Sequence, residues 1–407
     1  MTPIRNWAVS VVIAASSLGM MACGLGTSLA PAITTSTPAL TNTSAVQGSL
    51  QLSSTATASV APNPFTAAPI SPTPLILLLQ IGKGSGGDLW TLTGQAQSLR
   101  QLTKWGYNYE PVVSPDGKTV AYLSTAAVVV NAGPGAVGSG FPPATIWLLN
   151  PVTDDATRIA DQPAGVGYPS DKLIARNTPP AWSPDSSALA WVERDSISTR
   201  LMIYDVAKAK SRAITLDLPQ QCCEGAFPVV YWGPKSIAVE AFNGTSPDSI
   251  QHTIYFMAPD GTRSIPATVP AMNVLGWVVK DGKSYLAGLR DAQTILVDPE
   301  SGQSTEVAAR LEQFAPGAPN GLTVASTADP KTWTISDHGS NVATIGFSRS
   351  VAISPDGTQV VYRQSDDANS LNPKAFVYGN GQTGVIAIPD TYRVQAVAWG
   401  PVAWRLQ

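Results

Sequence analysis

The chain has 407 residues with a net charge of −3, and only 13% of its residues are charged. No basic face is available for nucleic acid, and two histidines, His252 and His338, exclude a histidine-rich metal site. Proline and glycine number 34 each, helix-forming glutamate and lysine are scarce, and valine, isoleucine, threonine and 11 tryptophans favour strands. This composition predicts an all-β protein. We expect both histidines to be ordinary surface or loop residues.

Residues 1–22 have the parts of a secretory signal peptide. Arg5 precedes an apolar segment that ends at Cys23 between Ala22 and Gly24. The junction resembles the lipobox of bacterial lipoproteins, from which Met20 departs by replacing the usual leucine. The resemblance implies a lipid on Cys23, cleavage before it and attachment to the cell membrane or envelope. An uncleaved anchor and a signal cut elsewhere are the alternatives, and all three place the remaining chain outside the cytoplasm.

Residues 23–74 differ from everything after them. They are rich in serine, threonine, alanine and proline, and no charged residue occurs between Arg5 and Lys83. Such a sequence buries too little apolar surface to offset chain entropy. We therefore predict a disordered linker over 23–74 and a folded domain over 75–407.

Three glycines follow the first apolar run of this domain in a dinucleotide-binding spacing. Gly82, Gly84 and Gly87 spell G-x-G-x-x-G. The chain then continues as DLWTLT, which alternates like a strand, whereas a dinucleotide fold requires a helix there. The glycines are better interpreted as a link between two strands.

A repeated phrase runs through residues 75–407. It is strongest in EPVVSPDGKTVAYLS, PPAWSPDSSALAWVE and SVAISPDGTQVVYRQ, and four looser copies follow the same pattern. The residues that precede the turns are Val113, Trp182, Trp232, Trp277, Phe314, Ile353 and Trp399. Their spacing of about 45 residues, with about four short strands per unit, is typical of propeller blades.

The phrase resembles the TolB-type, WD40-like (PD40) repeat, also found in the propellers of prolyl-oligopeptidase and dipeptidyl-peptidase enzymes. The resemblance covers residues 75–407 and implies a β-propeller of four-stranded blades, without those enzymes' catalytic domain. Asp116, Asp185 and Asp356 are interpreted as turn residues.

Blade counting predicts how the ring closes. Residues 75–103 supply three strands without a preceding turn phrase, and AVAWGP near the C-terminus supplies the missing innermost strand. We predict seven blades, with six as the alternative, and N- and C-terminal strands joined in one blade. The trailing VAWRL has no evident place in this arrangement.

Long connections are predicted to share one face of the propeller, where recognition usually lies. One of them contains Cys222 and Cys223. A vicinal disulfide between these neighbours is the favoured interpretation, two free thiols are the alternative, and metal or redox chemistry is a third.

The leading functional hypothesis is a non-enzymatic module that binds a protein, peptide or glycan through the long-connection face, with no cofactor, metal or nucleic acid. Scaffolding in the cell envelope is a related hypothesis. The alternative is a hydrolase or lactonase with a metal in the central channel. Asp171 and Glu224 are candidate ligands for that metal, although no pattern selects them.

Overall fold

The computed structural model describes residues 75–81, 87–93, 98–132, 143–218, 227–243, 251–262, 264–269, 272–290, 292–327, 332–346, 351–364, 374–386, 388, 392–400 and 402–407. The predicted signal peptide and linker lie outside these residues, as do Cys23, Cys222 and Cys223. The same holds for Gly82, Gly84 and Glu224.

The described residues form strands and one helix of four residues, α1 (Ala127–Val130). Blades 1 to 3 contain β1 (Leu75–Ile81), β2 (Asp88–Thr93), β3 (Ser98–Gln101), β4 (Asn108–Val113), β5 (Val120–Thr125), β6 (Ala144–Leu149), β7 (Ala156–Ala160), β8 (Ala181–Trp182), β9 (Ala188–Arg194), β10 (Thr199–Asp205) and β11 (Lys210–Leu216). Blades 4 and 5 contain β12 (Val229–Trp232), β13 (Ile237–Asn243), β14 (Gln251–Met257), β15 (Ser264–Val269), β16 (Asn273–Lys280), β17 (Lys283–Arg290), β18 (Gln293–Val297) and β19 (Ser304–Val307). Blades 6 and 7 contain β20 (Leu311–Phe314), β21 (Thr323–Ser326), β22 (Thr332–Asp337), β23 (Ser340–Gly346), β24 (Val351–Ile353), β25 (Gln359–Gln364), β26 (Lys374–Gly379) and β27 (Gln382–Ile386). Two further strands, β28 (Tyr392–Ala398) and β29 (Ala403–Leu406), complete blades 1 and 6.

The Ser-Pro-Asp turns form as the sequence predicts. In all three copies the serine hydroxyl donates to aspartate Oδ1 at 2.6 Å. The residue after the aspartate takes the left-handed conformation, with φ of 73° at Gly117, 68° at Gly357 and 62° at Ser186. These local contacts return the chain from the first strand of a blade to the second.

The blades are antiparallel sheets in which consecutive strands pair. Six sheets have four strands, and the seventh, blade 6, has five. The fourth strands, such as β7 and β11, are largely exposed. First strands touch those of neighbouring blades, since β28 contacts both β4 and β24. The first strands therefore lie innermost.

Seven apolar clusters hold the blades in a ring. Each lies between two consecutive blades, and the last joins blade 7 to blade 1. Trp191 and Trp399, each 1% exposed, are the largest fully buried side chains in them. Because each blade buries both faces against its neighbours, the cores run around the ring. The predicted all-β propeller is confirmed, and its seven sheets match the favoured count.

Ring closure also follows the prediction. In blade 1 the strand order is β28–β1–β2–β3, so a C-terminal strand pairs with the three N-terminal ones. The β28–β1 register runs from Ala398 opposite Ile76 to Tyr392 opposite Ile81. Because blade 1 contains strands from both ends of the domain, the pairing of β28 with β1 closes the ring and leaves no open sheet edge between them.

Strand β29 gives the trailing VAWRL a place that its sequence does not predict. It pairs antiparallel with β20, from Ala403 opposite Phe314 to Leu406 opposite Leu311, and becomes a fifth, innermost strand of blade 6. Trp404 packs edge-to-face on Trp333 at 5.9 Å. A Cβ atom at Gly276 would lie 2.8 Å from the Trp404 ring, so glycine permits this close approach.

Most first strands end at the residue predicted to precede the turn. Strand β16 is an exception: it continues for three residues beyond Trp277 to Lys280, and the chain turns at Asp281 and Gly282. None of the described residues forms a helix of the length and hydropathy needed to cross a bilayer.

Candidate functional site

The two faces of the propeller carry different connections. Strands alternate in direction, so connections between blades emerge at the same end as those between second and third strands. We call this end the linker face. The Ser-Pro-Asp turns and the connections between third and fourth strands lie at the opposite end, the turn face.

Two aromatic rings are exposed on the linker face, in the connection 102–107 between blades 1 and 2. Trp105 is 42% exposed and Tyr107 is 38% exposed, and their ring centroids lie 6.0 Å apart at 62°. The Trp105 indole N–H donates to the Thr125 carbonyl at 3.2 Å. Neighbouring exposed aromatic side chains are characteristic of binding surfaces.

Asp88 is a buried residue that holds the connection 102–107 in place through hydrogen bonds. It is 2% exposed, and its Oδ1 accepts hydrogen bonds from Thr103 Oγ1 at 3.0 Å, the Gly106 N–H at 2.9 Å and Asn108 Nδ2 at 3.0 Å. Its Oδ2 accepts another from Gln101 at 3.1 Å. Because the carboxylate is fully bonded, it holds the connection in one conformation and orders the backbone that carries the two rings.

Glu110 follows this connection in β4, the first strand of blade 2. The pairing of β4 with β5 passes from Tyr109 opposite Leu123 to Val112 opposite Ala121, so a β-bulge places Glu110 and Pro111 against one residue. Glu110 has a φ of 51°, an uncommon value for a non-glycine residue. Burial raises the pKa of its half-buried carboxyl because the charged form loses hydration.

An ionic network joins blades 2 and 3 on the same face. Arg176 donates to Glu193 Oε2 at 2.8 Å and to the Ala144 carbonyl at 2.5 Å, and Arg176 and Glu193 are almost fully buried. Burial lowers the pKa of Arg176, and Glu193 opposes that shift. Arg200 contacts Glu193 at 3.2 Å and Asp195 at 3.0 Å, which extends the network toward the surface. The buried pair fixes the long connection 161–180 against two blades.

A polar cleft of about 500 Å³ opens beside this network, at the linker end of blade 3. The turn 195–198 and the residues 215–218 line it. Ile197, on its rim, is 93% exposed. The cleft therefore offers charged and hydroxyl groups with one apolar side chain at its edge.

His252 lies in blade 4, and our expectation of a surface or loop histidine is wrong for it. It is 8% exposed, its Nδ1 lies 3.3 Å from Glu240 Oε1, and its ring packs edge-to-face on Phe242 at 4.7 Å. Tyr231 donates to the other oxygen of Glu240 at 3.0 Å. Adjacent strands enclose the imidazole and the carboxylate, which explains the burial. His338 is exposed beside Asp337, as expected.

The remaining residues predicted from the sequence are separated in the structure. Asp116, Asp185 and Asp356 act within their turns, and the hydrogen bond from Ser183 lowers the pKa of Asp185. Asp171 is exposed in the connection 161–180. Within the described ranges, no three histidine, cysteine or acidic side chains are grouped to hold a metal ion.

No protein-family profile and no curated protein matches the chain, so sequence comparison does not identify a family. Solved structures do resemble it. TolB from Acinetobacter baumannii is 13% identical with a TM-score of 0.44, over 81% of this chain and 67% of that one. A prolyl endopeptidase is 13% identical with a TM-score of 0.45, over 79% and 50%.

A third similar structure is a protein of unknown function from Desulfotomaculum acetoxidans. It is 12% identical with a TM-score of 0.47, over 81% of this chain and 98% of that one. The assignment of the propeller rests on the strand pairing and the ring of clusters described above.

Proposed function

We propose that this protein is a lipid-anchored, extracytoplasmic propeller that binds a peptide or protein partner through its linker face. The observation that carries the proposal is the exposed pair Trp105 and Tyr107, supported by the buried Asp88. Water-exposed aromatic rings on an ordered connection offer a large contact area at little cost in conformational entropy.

Other features of the linker face support the same proposal. The polar cleft beside Asp195 offers hydrogen-bonding groups, and the Arg176–Glu193 pair fixes the connection behind it. An aromatic anchor surrounded by polar groups is the usual composition of a protein interface. The turn face, by contrast, consists of short turns whose polar groups largely bond within the turn.

Photo-crosslinking in cells that express the full-length chain tests the binding face. A photoreactive amino acid replaces exposed Lys104 on the linker face or exposed Thr262 on the turn face. We expect a discrete adduct from position 104 and none from position 262. Adding Trp105→Ala and Tyr107→Ala should reduce the adduct at least tenfold, the effect of losing an interface anchor worth about 1.4 kcal/mol or more. Equal adducts from both faces, or adducts only from position 262, would contradict the proposal.

The anchor is tested separately by Cys23→Ser. We expect the wild-type chain to incorporate radiolabelled palmitate and to fractionate with membranes, and the variant to lose both properties. A variant that still fractionates with membranes like the wild type would overturn the lipid anchor without affecting the binding face.

A further inference from the structure

Glu110 has no bonding partner among the residues that the structure describes. Across the described part of the chain, its carboxylate makes no hydrogen bond and no ion pair, although it is half-buried. Buried carboxylates are ordinarily paired or hydrogen-bonded, since desolvating an ion costs several kcal/mol. A residue that is both unpaired and held at a φ of 51° carries two unfavourable features, which cluster at functional sites.

The propeller repeat does not require this glutamate. Four residues before the turn serine, the other two strong copies of the phrase have Pro179 and Ser350. Pro179 precedes the same type of turn with no carboxylate at all. The acidic group is therefore an addition to the blade.

Blade 6 shows how this propeller satisfies a buried glutamate near the inner edge of a blade. Glu312, in β20, is 1% exposed and accepts from Arg405 Nε at 2.6 Å and from Thr323 Oγ1 at 2.5 Å. The same Arg405 guanidinium lies over the Phe314 ring, 4.9 Å from its centroid. A carboxylate and an aromatic face thus hold one guanidinium between them.

Among the described residues of blade 2, no guanidinium pairs with the Glu110 carboxylate. The arginine of this blade, Arg158, lies over the Trp147 ring at 5.6 Å and pairs with Asp161 instead. Tyr107 precedes Glu110 by three residues, which span at most about 10 Å of extended chain. Trp105 and Tyr107 offer exposed ring faces and edges on the connection that leads to the glutamate.

We propose that Glu110, with Tyr107 and Trp105, forms a binding site for the guanidinium of an arginine side chain on a peptide or protein partner. The inference rests on the proposed function and assigns the chemistry of that same face. A bound guanidinium supplies the missing counter-ion to the carboxylate, while the rings contribute stacking. The raised pKa of Glu110 agrees with an anion that lacks a partner in the free protein.

Calorimetric titration of the full chain in detergent with two peptides tests the site. The probes are acetyl-Gly-Arg-Gly-amide and its citrulline counterpart, which keeps the shape of arginine without its charge. We expect the arginine peptide to bind at least tenfold more tightly, the ratio typical of a charge-assisted hydrogen bond. Glu110→Gln and Tyr107→Ala should each weaken arginine binding about tenfold or more.

Glu300→Gln is the matched control, because Glu300 lies in a turn on the opposite face. It should leave both affinities unchanged. Cooperative thermal melting of Glu110→Gln shows that the variant is folded. Equal binding of the two peptides, or unchanged arginine binding in folded Glu110→Gln, would overturn the site.

The two proposals fail in different ways. A strong adduct from position 104 that persists in Glu110→Gln would leave the binding face standing and refute the guanidinium site. Arginine-selective binding that depends on Glu110, without any adduct from position 104, would support the site and count against the partner-binding role.

Discussion

Blades 2 and 6 each carry a glutamate on the first strand, and the two carboxylates have different surroundings. In blade 6, Glu312 is buried with Arg405 and Thr323 as partners, and β29 supplies the arginine from the same chain. In blade 2, Glu110 has no such partner within the described part of the chain and lies at a β-bulge with a positive φ. The first arrangement stabilises the ring, whereas the second costs stability and leaves a carboxylate free to bind.

Removing the arginine of blade 6 gives the largest expected effect. Arg405→Ala leaves Glu312 buried without its cation, and we expect a loss of about 3 kcal/mol in the free energy of unfolding, measured by urea denaturation. The control is Arg290→Ala, which breaks the ion pair with Glu306 near the surface and should cost less than about 1 kcal/mol. Equal losses in the two variants would mean that Glu312 does not depend on its partner.

Glycine at position 110 tests the strain in blade 2. Glu110→Gly removes both the unpaired carboxylate and the penalty for a left-handed non-glycine residue, so we expect about 0.5–1 kcal/mol of added stability. The control change Thr305→Gly lies on β19, an exposed outer strand, and should lower stability by about 0.5–1 kcal/mol. Destabilisation by both changes would show that the bulge tolerates its φ without strain.

The dependence of stability on pH is the smallest expected effect. The pKa of Glu110 is raised on folding, so above the ordinary carboxyl pKa the folded state retains a proton that the unfolded chain has lost. Wild-type stability should therefore fall relative to Glu110→Gln as pH rises through that range, and the difference should be smallest in acid. Melting temperatures of both proteins between about pH 4 and pH 7 provide the measurement. A difference in melting temperature that shrinks with rising pH would contradict a pKa of Glu110 that is raised on folding.

The blades could be predicted from the sequence because their signals are local. A Ser-Pro-Asp turn needs only its own residues, as the 2.6 Å bonds of Ser114 and Ser183 show. Ring closure followed from counting strands on either side of those turns. The position of β29 could not be predicted, because its pairing depends on the open inner edge of β20, which exists only in the assembled ring.

The candidate site was harder to predict for the same reason. Asp88 and Asn108 are distant in the sequence and meet only when blades 1 and 2 pack together. The bulge at Glu110 has no turn residue to indicate it, although an acidic residue in an otherwise apolar phrase was a usable signal. His252 was misjudged because its burial depends on Glu240 and Phe242 in the adjacent strand.

One pair of substitutions tests the central comparison most directly. Glu110→Gln and Glu312→Gln make the same chemical change on the first strands of blades 2 and 6, and urea denaturation at neutral pH reports both. Glu110→Gln should raise the free energy of unfolding because it removes an unpaired charge, and Glu312→Gln should lower it by about 2 kcal/mol because it removes the anion bound to Arg405. A loss of stability in both variants would contradict the account, since Glu110 would then be a structural residue like Glu312.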